Sequence, residues 1–178
     1  MRLITAAIIV MFSQLAFAAD LTGADIETWM KNMPALEQWS SEHEDQMPDE
    51  MPDGSQGIDE MLNQGVKDLK SAGLYDDFNQ KVQAAGYDNV EEWAGMTRQI
   101  SLAYLALEIE NEPVSVSQLE AQLQQVKDSD LPQEQKAMMT QMMSASLMMM
   151  KAVKGVSNAD KEAVRPYKDD LKAQFDAE

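Results

Sequence analysis

The sequence predicts an all-α, single-domain bundle of about seven helices following an N-terminal signal peptide. Three observations carry that expectation. Apolar residues recur at three- and four-residue spacing along nearly the whole chain, and no stretch alternates apolar and polar residues for long enough to make a strand. Helix-capping residues open these periodic stretches, and glycines or prolines close them. The connections are short and the apolar residues evenly spread, so residues 19–178 read as one domain around one core.

Residues 1–18 have the layout of a secretory signal. Arg2 is a short basic start, Leu3 to Phe12 an uncharged apolar run, and Ala16-Phe17-Ala18 a small-x-small cleavage site. The run is too short for a comfortable membrane span, and polar sequence follows at once, so removal is expected rather than anchoring. The expected destination is the periplasm, or the exterior of a cell without one.

The first helix opens at Thr22 with Asp25 three residues on, and carries Ile26, Trp29, Met30 and Met33 on one face before Pro34, which should break or kink it; Leu36 and Trp39 prolong the signal. Residues 42–57 (EHEDQMPDEMPDGSQG) have no apolar period and read as an acidic loop. Ile58, Met61, Leu62, Val66 and Leu69 make the second helix, ending near Gly73, and Leu74, Tyr75, Phe78 and Val82 the third, with Gly86 as its cap. Asp88 and Glu91 form an expected capping box for the fourth. There Trp93, Met96, Ile100, Ala103, Tyr104 and Leu107 fill one arc, and Leu102, Leu105 and Ile109 a second. Two apolar faces predict a central helix with neighbours on both sides.

After Pro113, Ser117 and Glu120 suit another capping box, followed by Leu119, Leu123 and Val126. Pro132 in a first turn, capped by Asp130, opens a helix to about Val153, which Gly155 ends. Ser157 with Asp160 starts a last segment carrying Val164, Tyr167, Leu171 and Phe175, which Pro166 should kink or restart.

A formal charge of −17 repels phosphate backbones and anionic headgroups, so nucleic acid and membrane-surface partners are not expected; cations and basic proteins are attracted. The chain has no cysteine, which excludes disulfides, thiol catalysis, thiolate metal sites and a lipid-modified N-terminal cysteine. Enzymatic signatures are poor. His43 is the single histidine and sits among carboxylates, with no GxSxG elbow and no Gly-rich phosphate loop, so a hydrolase of unrecognised type is the third-ranked reading and no catalytic residue is assigned.

Methionine is the compositional anomaly, with seven of the 15 crowded into residues 138–150 (MMTQMMSASLMMM). Met138, Met142 and Met149 share a stripe with Ala145 and Val153, and Met139, Met143 and Met150 an adjoining one, with Met148 off the arc. Methionine is a pliable core filler and this spacing is what packing requires, so the arc is expected to face the core. The alternatives are an adaptable peptide-binding groove and a soft metal site. Met47 and Met51 each precede a proline, four and eight residues after His43; one imidazole and two thioethers suit copper, and His43, Met47 and Met51 are the candidate metal ligands. The same loop partly imitates a calcium loop through Asp49, Asp53, Gly54 and Glu60, but Met51 replaces the third-position ligand.

Leu131-Pro132-Gln133-Glu134-Gln135 resembles the LTxxQ motif of small periplasmic stress chaperones, with proline in place of threonine. Leu21-Thr22 starts a second match, in which Asp25 stands in the glutamine position. The resemblance implies a helical chaperone and is confined to these two short stretches, so no family is assigned. The leading functional expectation is an exported, non-catalytic protein that binds a protein or peptide partner through apolar surface near Met148, Met149 and Met150. Copper or a divalent cation at the acidic loop comes second.

Overall fold

Trp29, Ile26, Ile100 and Leu171, all fully buried, mark where the chain closes on itself in a computed structural model that describes residues 20–48, 58–110 and 115–176. The described residues form eight α-helices, two short 3-10 turns and no strand, an all-α bundle. The helices are α1 (Gly23–Glu42), α2 (Ile58–Ser71), α3 (Tyr75–Ala84), α4 (Val90–Glu108), α5 (Val116–Asp128), α6 (Gln133–Lys154), α7 (Asn158–Val164) and α8 (Lys168–Phe175). A 3-10 turn at Arg165–Tyr167, holding Pro166, separates α7 from α8, so the last segment restarts as expected. The proposed leader, residues 1–18, lies outside the described residues.

Thr22 and Asp25 do form a capping box at α1, and the Ser157 hydroxyl accepts from the Asp160 N–H at α7. Gly86, at φ +100°, turns the chain out of α3 in a conformation that costs any other residue strain. Other boundaries differ from expectation. Pro34 does not break α1, because Trp29 and Met33 before it and Leu36 and Trp39 after it are all buried on one continuous face. Asn89, not Asp88, caps α4, its side chain accepting from the Glu92 N–H. That frame puts Val90 into the core as the first helical residue. Glu91 is thereby free of the cap: the Tyr75 hydroxyl and the Lys70 ammonium bond it and hold its carboxyl below the ordinary range. Ser115 with Gln118 caps α5 in place of Ser117 with Glu120, and Pro132 stands one position before α6 with no side-chain cap.

The core has three parts, and α4 runs through all of them. Ile100, Ala103, Tyr104 and Leu107 meet Ile26, Trp29 and Met33 of α1, with Val164 of α7 and Leu171 of α8. Val90, at the start of α4, joins Leu36 and Trp39 with Leu69, Phe78 and Val82 of α2 and α3. On the other side of α4, Leu102 and Ala106 pack on Val153 of α6. The expected two-faced central helix is therefore what forms. Burying each large aliphatic side chain contributes about 1.5–3 kcal/mol, which is why this helix organises the rest.

A buried carboxylate ties distant stretches of the chain together. Asp160 accepts from the Leu21 N–H at 2.7 Å and from Gln99 Nε2 at 3.1 Å, so the stretch leading into α1 is latched to α7 and α4.

Candidate functional site

The helix α6 packs chiefly on α5, and these two helices form a hairpin beside the rest of the bundle. On α5, Leu123 is buried and Leu119 and Val126 half-buried; a Lys151–Glu120 ion pair at 2.9 Å clips the hairpin from outside. On α6 the only buried residue is Val153, next to the helix end where it meets Leu102 and Ala106 of α4.

The methionines upstream of Val153 are therefore not core. Met142 is 66% exposed, Met138 61%, Met139 41%, Met149 40% and Met148 38%, while Met143 and Met150 are half-buried. The expectation that the arc packs inward is overturned, because α5 covers one side of α6, α4 covers its end, and no described helix covers the rest. Of the three residues proposed for partner contact, Met148 and Met149 are exposed and Met150 is half-buried. The two most exposed, Met138 and Met142, are among those whose spacing predicts an inward face. With Met149 they line one strip of α6, about 16 Å long at 1.5 Å per residue. No charge interrupts residues 137–150. Across 116–154, Glu120, Asp128, Asp130 and Glu134 balance Lys127, Lys136, Lys151 and Lys154, so the hairpin is formally neutral and the acidic excess lies in the remainder of the chain.

The candidate metal ligands are only partly in view. His43 ends α1, stacks on Trp39 with ring centroids 4.2 Å apart, and its Nδ1 lies 2.8 Å from the Trp39 carbonyl. Nδ1 must carry the proton to donate there, which leaves the Nε2 lone pair for another partner. Met47 follows a 3-10 turn at Glu44–Gln46 and packs against Trp39, Phe78 and their neighbours, so its side chain belongs to an apolar surface. Met51, like Asp49, Asp53 and Gly54 of the calcium-like pattern, lies outside the described residues. Among the described residues, no three His, Asp or Glu side chains gather where a metal ion could be held.

Two of the cavities among the described residues bear on function. One, of about 180 Å³, lies among α1, α2, α3 and α4 and is lined by Trp39, Met47, Val66, Leu69, Phe78 and Trp93 with smaller contributions around them. The other, of about 410 Å³, is polar and gathers Asp20, Arg98, Lys151 and Asp160. The composition of the second resembles that of an enzyme site, but most of its groups are engaged structurally. Asp160 holds Leu21 and Gln99, Arg98 pairs with Asp59, Lys151 pairs with Glu120, and the Ser157 hydroxyl caps α7. Sequence reasoning missed both cavities; a void has no residue pattern of its own.

No family model, curated protein or solved structure matches this chain. No helix among the described residues is long and apolar enough to cross a membrane.

Proposed function

We propose that this is an exported, non-catalytic binding protein whose α6 methionine strip takes the apolar face of a basic amphipathic helix on a partner protein. The observation that carries the reading is the exposure of Met138 and Met142, at 61% and 66%, on a helix whose one buried residue stands at its end. Flexible, polarizable thioethers adapt to varied apolar partners, and an uncharged strip of this kind accepts a helix laid along it. The formal charge of −17 favours a partner of opposite sign and disfavours a second copy of the same chain.

A dye-labelled helical peptide with leucines on one face and lysines on the other tests this by fluorescence anisotropy. Binding should weaken at least about tenfold in a Met138→Gln/Met142→Gln/Met149→Gln variant that melts like the parent. Undiminished binding by that variant, or equal binding of a glutamate-for-lysine peptide, contradicts the reading. Export is tested separately: deleting residues 1–18 should leave a folded protein in the cytosol, and export without them would remove the signal.

A second reading, a copper-binding role for His43 with Met47 and Met51, is supported by the Nδ1 hydrogen bond that leaves His43 Nε2 open. Saturable Cu(I) binding that raises the melting temperature and is lost in His43→Ala supports it. Affinity unchanged by that substitution removes His43 from any such site.

A further inference from the structure

Among the described residues, every large apolar side chain left exposed is a methionine: Met61 on α2, and Met138, Met139, Met142, Met148 and Met149 on α6. The described leucines, isoleucines, valines, phenylalanines and tryptophans are all buried or half-buried, including Leu147, the one leucine within the methionine run. Leucine comes close to methionine in volume and in helix propensity, so an apolar surface alone does not call for this division. Two properties separate the residues: flexibility, which the binding role uses, and a sulfur that oxidants attack. The strip is well placed for that second property. No cysteine is present to react first. Oxidation on the strip also spares the core, because Val153 is the one buried residue of α6 and the core methionine Met33 lies enclosed on α1.

We infer that the α6 strip is a site of reversible oxidation, at which hydroperoxides convert Met138, Met142 and Met149 to sulfoxides and so release the partner. The inference rests on the strip being the partner's contact surface. In the forward step the thioether sulfur donates its lone pair to the terminal peroxide oxygen. The S–O bond forms, the O–O bond breaks, and an alcohol (water, for hydrogen peroxide) leaves; sulfur gives up the two electrons the peroxide gains. The sulfoxide oxygen then needs hydrogen-bond donors, which an apolar partner face does not offer. Reversal takes two electrons and two protons from a dithiol, releasing water and leaving a disulfide. A chain without cysteine cannot supply that dithiol, so a separate reductase must.

The leucine-and-lysine peptide described above reads the switch by anisotropy on the full chain. Treatment with tert-butyl hydroperoxide is stopped when peptide mass spectrometry finds sulfoxide at Met138, Met142 and Met149 but not at Met33. The treated protein should melt like the untreated one and bind the peptide at least about tenfold more weakly. Methionine sulfoxide reductases of both epimer specificities, with dithiothreitol, should restore the affinity. A variant with leucine at all five exposed α6 methionines, compared with its own untreated value, should shift by less than about twofold on treatment. Equal binding by untreated and oxidised protein overturns this inference alone. So does a binding loss that reductase cannot reverse, one accompanied by a lower melting temperature, or one of equal size in the leucine variant. Absence of binding by the untreated protein overturns the strip's binding role, and this inference with it.

Discussion

The helices α4 and α6 are both long, both rich in apolar residues at helical spacing, and end up in opposite situations. In α4, Ile100, Leu102, Ala103 and Leu107 are all buried, because helices lie on both of its sides. In α6, Val153 alone is buried, and five of the seven methionines before it are exposed. Periodicity states which residues share a face. Whether that face is covered depends on how many helices reach it, and α6 has α5 along one side and α4 only at its end.

Substitutions on the two helices should make this difference measurable. The largest effect belongs to α4: Leu102→Asp buries an unpaired carboxylate, costs several kcal/mol against a total of about 5–15 kcal/mol, and should unfold the protein in a melting experiment. Near-native melting would contradict a helix buried on two sides. Next comes a matched pair of the same residue type. Met33 is 9% exposed in the core of α1, and Met33→Ala should cost about 2–5 kcal/mol. Met142→Ala, at 66% exposed, should stay within about 0.5 kcal/mol in denaturant unfolding.

A smaller effect, of opposite sign, is expected in the body at Tyr87. Its hydroxyl is buried with no hydrogen-bond partner among the described residues, and burial, followed by the charges of Asp25 and Glu92, pushes its pKa up to about 12. An unfolded tyrosine ionises near pH 10, so the folded state holds this proton more tightly. That contribution is intact below about pH 10 and is lost as pH rises toward 12. Because an unpaired hydroxyl is costly to bury, Tyr87→Phe should raise stability by about 1 kcal/mol at neutral pH, and having no proton to lose it should reduce the alkaline loss, read as melting temperature against pH. Unchanged alkaline behaviour would show that Tyr87 is solvated. Finally, amide exchange should be faster along 133–146 than along 94–107, since local opening of α6 breaks fewer buried contacts.

Much of the fold was legible in the sequence. The α1 cap at Thr22, the α7 cap at Ser157, the Gly86 turn and the two faces of α4 all follow from local chemistry that the structure repeats. The misplaced caps have a common cause. Asp88 and Asn89 are adjacent and both cap well, as are Ser115 and Ser117 nearly so. Tertiary packing chose in the first case, by burying Val90, and a local capping box of Ser115 with Gln118 in the second. The candidate sites were less legible. The methionine spacing of 138–150 is identical for a covered and an uncovered helix, and only the arrangement of α5 and α4 around α6 decides.

The central claim is that α6 presents its methionines to solvent while the body conceals its own. Timed oxidation of the folded protein with dilute peroxide, followed residue by residue by peptide mass spectrometry, tests it most directly. Met138 and Met142 should convert to sulfoxide early, and Met33 only after unfolding. Protection of Met138 and Met142 equal to that of Met33 would mean that the strip is covered, and the binding role proposed for it would fall.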